Sequence, residues 1–263
     1  MARRNLFLVI ILPVGVISLV CSGVIIRANI IQREKEKEIE AAAKAFESET
    51  QGVIQKVAAR QSVNDSMAAT TINLSPYTNR SLTQSFIPRK NNKHDLQELP
   101  TGTHTFGGIP FNITGEIQLF GNGLNVSHAN FPKQVNGIRI GEKCNKIHLF
   151  HGASFVTPNQ MGETIARIVL HYKDGSKEAL DIVSGQNVLD WCGPADINSV
   201  KDPKSELAWL GRNPFIQSQW PDYFLRLYKS TYDNPQPDIE ITTIDYEWAK
   251  VSAASFLVGL TIE

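Results

Sequence analysis

Neither sign of charge prevails in this chain: Lys+Arg and Asp+Glu each number 26, and the formal net charge is zero. Nucleic-acid binding normally leaves a strong basic excess, so no nucleic-acid partner is expected. Cysteine is scarce, with 3 in 263 residues. No two cysteines are spaced C-x-x-C, which excludes a zinc ribbon and a paired-thiol redox motif. The signatures G-x-S-x-G and H-E-x-x-H are missing, and the glycine-rich pieces lack a following helix to receive phosphate. Asp190, Asp222, Asp238 and Asp245 are available, but their spacing nominates no acid pair for glycoside hydrolysis. The chain therefore reads as non-enzymatic and as needing no cofactor and no metal. A hydrolase with an unrecognised site stands third among the functional readings.

What is present begins with one long apolar run. Leu6–Ile26 carries no charged side chain. At about 1.5 Å per residue it matches the roughly 30 Å hydrocarbon core of a bilayer. A signal-peptide core is shorter and ends at a small-residue cleavage site; here the run passes into Arg27 and a charged stretch. Residues 1–29 are thus expected to form an uncleaved transmembrane anchor. By count, the cations after the run (Arg27, Arg33, Lys35, Lys37) outnumber Arg3 and Arg4 before it. A short Arg-Arg head resembles a signal anchor, however, and long domains translocate largely regardless of charge. The expected localisation is a single-pass membrane protein whose C-terminal domain is periplasmic or otherwise extracytoplasmic.

Residues 30–62 read as a helical stalk. Ile39, Ala43, Phe46, Thr50, Val53 and Val57 follow alternating spacings of four and three, a short coiled-coil seam. The seam fits a stalk that forms a homo-oligomer, or an amphipathic helix lying on the domain or the lipid. Residues 63–98 are rich in Asn, Ser and Thr, with Pro76 and Pro88, and read as a poorly ordered polar linker.

From Leu99 to Glu263 short strands alternate with turn residues, which predicts an all-β fold, an antiparallel sandwich. Asp174-Gly175 marks a hairpin between strands in which Ala166, Ile168, Leu170 and Tyr172 alternate with Arg167 and His171. An apolar phase shift between Ile241 and Ile244 predicts a bulge near Thr243. Phe256, Val258, Leu260 and Ile262 predict one buried face of a closing strand.

Several segments carry a resemblance: Leu99-Pro100 with Gly102, Phe106 to Phe111, Ile147 to Ala153, His171 to Ser176, and Asn234 to Ile241 with Ile244-Asp245-Tyr246. Together they resemble a bacterial extracytoplasmic module of the galactose-binding-like, jelly-roll carbohydrate-binding type. The resemblance implies a jelly-roll sandwich and contact with glycan, and it transfers no binding residues.

A sugar site needs aromatic faces for stacking with polar groups around them. The candidates are Trp220 and Trp191 with Asp190, Arg212, Asn213 and His151. Against this stands burial of Trp191 and Trp209 as core plugs, with Trp220, in a polar loop, expected exposed. His148 and His151, three apart on a strand, point to opposite faces and cannot jointly chelate. Cys144 and Cys192 could form one disulfide in an oxidising compartment, or stand as two separate thiols. The two leading functions are a membrane-tethered module binding carbohydrate or a cell-envelope component, and an assembly protein acting through contacts of stalk and sandwich.

Overall fold

The computed structural model describes residues 14–61, 69–86, 93–127, 130–196 and 199–263. The first part of the expected membrane span, residues 6–13, lies outside them. Among the described residues no helix is long and apolar enough to cross a membrane. Helix α1 is Val14–Gln61. The chain divides into two units, Met1–Gln51 and Gly52–Glu263.

The second unit is predominantly β. Its strands are β1 (Thr70–Thr71), β2 (Gly102–Phe106), β3 (Ile109–Ile113), β4 (Ile117–Gln118), β5 (Gln134–Glu142), β6 (Lys146–Ser154) and β7 (Thr164–Tyr172). They continue with β8 (Lys177–Val183), β9 (Cys192–Gly193), β10 (Ser205–Gly211), β11 (Phe224–Asp233), β12 (Ile241–Trp248) and β13 (Ala254–Ile262). A short helix α2 (Pro214–Gln219) joins β10 to β11. One antiparallel sheet has the order β1-β13-β6-β11-β10, with β4 on β13 and β9 on β11; the other has the order β5-β12-β7-β8. β2 and β3 form a separate hairpin.

Local chemistry accounts for the expected features. Gly175 takes φ +90° at the β7–β8 turn, a conformation that costs glycine little, and Asp174 caps the turn by accepting from the Ser176 amide at 2.9 Å. The register of β12 slips between Ile241 and Thr243 against both of its neighbours, the bulge read from the shifted apolar phase.

Between the sheets lies one core, built from Ile147, Leu149, Leu257 and Leu260 on the larger sheet and Ile138, Ile168, Leu170, Ile244 and Tyr246 on the smaller. A second core covers the outer face of the larger sheet. There Phe106, Phe111 and Ile113 of the β2–β3 hairpin, with Leu82, Phe86, Leu96 and Leu99, meet Phe150, Leu227, Phe256 and Val258. The larger sheet is thus apolar on both sides, and every residue of β13 is buried.

Packing corrects two expectations and bears on a third. Residues 63–98 are no free linker where they are described: Leu74 and Leu96 are fully buried, and β1 pairs with β13. β13 does not present one face, because a register slip between Leu257 and Gly259 turns Phe256 and Val258 to the covering layer and Leu260 and Ile262 to the inter-sheet core. The seam residues Val53 and Val57 pack into the sandwich core, while Ile39 and Phe46 of the first unit stand 69% and 44% exposed.

The disulfide alternative is also corrected, since Cys144 and Cys192 are both free thiols. Cys144 belongs to the inter-sheet core and Cys192 packs against the covering core, on opposite sides of the larger sheet. Burial pushes the Cys144 thiol up to about 11.

Candidate functional site at the loop end of the sandwich

The two ends of the larger sheet are unlike. β13 begins at Ala254 opposite Ser154 and ends at Ile262 opposite Ile147. β1, the first strand after α1, pairs at the Ile262 end. At the Ala254 end gather the β6–β7 and β12–β13 connections, β9, and the α2 connection, which leaves β10 at Gly211 opposite Leu225.

All but one of the residues nominated from sequence fall at that loop end, but they do not converge. Trp220 is 46% exposed, with its ring 6.0 Å from that of Tyr223, itself 39% exposed, and edge-on to Phe215 at 5.7 Å. Trp191 is only 2% exposed. It fills the covering core against Phe86, His94 and Phe256 and presents no stacking face to a ligand. Arg212 lies over the Phe224 ring at 4.2 Å and helps line a cleft of about 310 Å3 with Lys93, Asp95 and Glu98.

Asn213 is the N-cap of α2. Its Oδ1 accepts from the Ile216 amide at 2.8 Å, and its Nδ2 donates to the Asp95 carbonyl at 2.9 Å. Pro214 follows at the first helical position, where its missing N–H costs nothing. Asn213→Ala is expected to destabilise the unit by about 1–2 kcal/mol, read as a lowered denaturant midpoint with an unchanged slope.

His151 lies within the inter-sheet core. Its Nε2 meets Ser230 Oγ at 2.8 Å, in a network that continues to Ser205 and Asn187. Burial holds its pKa down at about 3, so the ring is neutral and closed off from solvent. His148 instead meets Thr231 and Glu263, and the two histidines point to opposite faces as expected. No group of three metal-ligating side chains occurs among the described residues.

One arrangement has the composition of a nucleophilic site. Cys192 Sγ is 3.7 Å from His94 Nε2, and Asn213 Nδ2 is 3.4 Å from His94 Nδ1. The chemistry runs the wrong way for nucleophilic catalysis. An amide N–H can only donate, so Nδ1 is the acceptor and Nε2 carries the proton toward sulfur. Burial raises the Cys192 thiol and lowers His94 to about 4, leaving both neutral where a nucleophile needs thiolate. His94 is held between Trp191 at 4.5 Å and Phe215 at 4.6 Å as part of the packing.

Asp190 acts indirectly. Its carboxylate accepts from the amides of Cys192 at 2.9 Å and Val156 at 3.2 Å and from that of Phe155. Burial nevertheless raises its pKa, outweighing those donors and Arg226. What it fixes is the start of the β6–β7 loop, where Phe155 is held at φ +60°.

That loop borders a cleft of about 670 Å3, which sequence reasoning missed. Asn122, Phe155, Thr157, Asn159, Glu163, Lys250 and Ser252 line it. Lys250 has φ +70°, and Phe155 and Lys250 are the two non-glycine residues of positive φ among the described residues. Such conformations cost roughly 1–3 kcal/mol each and persist where the surroundings over-determine them. Phe155 is pinned by Asp190 and by the space at Gly123, where a Cβ would lie 2.5 Å from the ring. The β12–β13 turn is pinned by Trp248 Nε1 and the Asn122 amide, both donating to the Val251 carbonyl. Lys250 also borders a second cleft, of about 500 Å3, with Lys133, Glu247 and Trp248. No local motif announces a left-handed Phe or Lys, so this site carried no sequence signal.

Comparison with family models, with curated proteins and with solved structures gives no match.

Proposed function

We propose that this chain is a non-catalytic binding module of the galactose-binding-like, jelly-roll type, taking carbohydrate or another cell-envelope component. In this reading Leu6–Ile26 anchors the chain in a bilayer, with the sandwich on the extracytoplasmic side. The carrying observation is the exposed Trp220–Tyr223 pair on a rim of loops at the sheet end remote from β1. Two aromatic faces in water suit the apolar face of a sugar ring. Arg212, over the ring of Phe224 next to Tyr223, adds a polar group on the same rim. The two antiparallel sheets support the fold reading, and the uncharged run supports the anchor.

A second reading, assembly through the stalk, is favoured by the exposure of Ile39 and Phe46 on one seam of α1. The test is a glycan array with the full chain in detergent micelles, beside Trp220→Ala and a sedimentation measurement. Binding of a glycan that falls at least tenfold in Trp220→Ala is the expected result. A chain that binds nothing on the array and sediments as an oligomer sinks the first reading in favour of the second.

A further inference from the structure

The cleft beside Phe155 and Lys250 carries a charge pattern that a neutral sugar does not use. Its two charged side chains, Glu163 from the β6–β7 connection and Lys250 from the β12–β13 turn, have opposite sign and come from different loops. Among the described residues neither has an ion-pair partner, and they do not pair with each other within 4.0 Å. Opposite charges able to approach would gain from doing so. Both are carried on fixed backbone: Lys250 sits in a left-handed turn, and the Glu163 carbonyl is tied to the amide and hydroxyl of Ser184.

The same cleft is lined by neutral groups of both hydrogen-bonding senses. Asn122 and Asn159 offer an amide N–H and a carbonyl each, and Phe155 supplies an apolar wall. Gln160 is already committed, its Oε1 accepting from the amide and hydroxyl of Thr157. The volume, about 670 Å3, lies within the roughly 300–1,000 Å3 usual for ligand pockets.

We propose that this cleft binds a short peptide with both termini free, its ammonium group toward Glu163 and its carboxylate toward Lys250. The peptide groups between them meet Asn122 and Asn159, and small side chains rest on Phe155. This site is separate from the Trp220–Tyr223 face and stands or falls without it.

The test is calorimetric titration of the full chain in detergent micelles with trialanine, N-acetyl-trialanine and trialanine amide. Trialanine is expected to bind, and each blocked form to bind at least tenfold more weakly. Glu163→Gln should erase the preference over the acetylated peptide, and Lys250→Asn the preference over the amide. Asparagine accepts positive φ, so Lys250→Asn keeps the turn, and both variants should keep the parent Tm. Equal binding of free and blocked peptides, no binding of trialanine, or variants that retain both preferences overturn the proposal. Trp220→Ala should leave the trialanine titration unchanged while abolishing glycan capture, so the two readings fail independently.

Discussion

Arg80→Met is expected to destabilise the β unit by about 3–5 kcal/mol, and by more at pH 8 than at pH 5. Arg80 Nη1 and Glu116 Oε2 form an ion pair at 3.0 Å with both side chains buried. Arg80 also donates to the Gln84 carbonyl at 2.8 Å and lies over the Phe86 ring. Arg80 Nε and Glu116 Oε1 have no hydrogen-bond partner, so the pair is incompletely compensated. Desolvation outweighs the attraction of Arg80 and pushes the Glu116 carboxyl up to about 7.

The folded state therefore binds that proton more tightly than the unfolded chain does. The stability tied to Glu116 is fully present below its ordinary value of 4.5 and is lost as pH rises through about 7. Without Arg80 the carboxyl is driven higher still, so the loss keeps growing above pH 7. Denaturant titration of the parent, Arg80→Met and the double variant Arg80→Met/Glu116→Leu at both pH values checks this. The double variant should regain most of the loss at pH 8, since an apolar pair of similar volume is often neutral or stabilising. A single variant that costs less than about 1 kcal/mol at pH 8 would show that the pair contributes nothing.

Trp191→Ala is expected to cost about 3–5 kcal/mol, lowering Tm by roughly 6–20 °C in a domain of this size. The indole is packed against Phe86 at 5.2 Å, His94 at 4.5 Å and Phe256 at 5.8 Å. Its backbone bridges neighbouring strands, the amide donating to the Ala153 carbonyl and the carbonyl accepting from the Arg226 amide, both at 2.7 Å. Truncation leaves a cavity where the β9 segment, the covering layer and the larger sheet meet. Below the lowered Tm, the folded fraction should bind glycan as the parent does. Loss of glycan binding with an unchanged Tm would instead make Trp191 a ligand-stacking residue.

The sequence was most legible where one strand face meets water. β7 alternates as its composition predicts, and its turn and the β12 bulge fall where Asp174-Gly175 and Thr243 place them. Legibility failed on the larger sheet because its second apolar face is covered by Leu82, Phe86, Leu96, Leu99 and the β2–β3 hairpin, remote in sequence from β6, β11 and β13. A polar composition between residues 63 and 98 hid Leu74, Leu82, Phe86 and Leu96, all buried but without the sustained periodicity that marks a helix or strand. Trp220 was found because polar neighbours flank it. Trp191 sits beside Asp190, and nothing local shows that this carboxylate points back at the amides of residues 155, 156 and 192.

The pairing of β1 with β13 has a consequence in time. Thr70 meets Ile262, so the edge of the larger sheet waits for residues made much later in synthesis. The difference, 262 − 70 = 192 residues, takes about 10–40 s at roughly 5–20 residues per second. Until β13 arrives, β6 has β11 on one side and an open edge on the other, and both apolar faces of that sheet lack a full cover. Such non-local closure is slow and prone to aggregation. A ribosome paused before residue 254 would hold this chain in its most adhesive form.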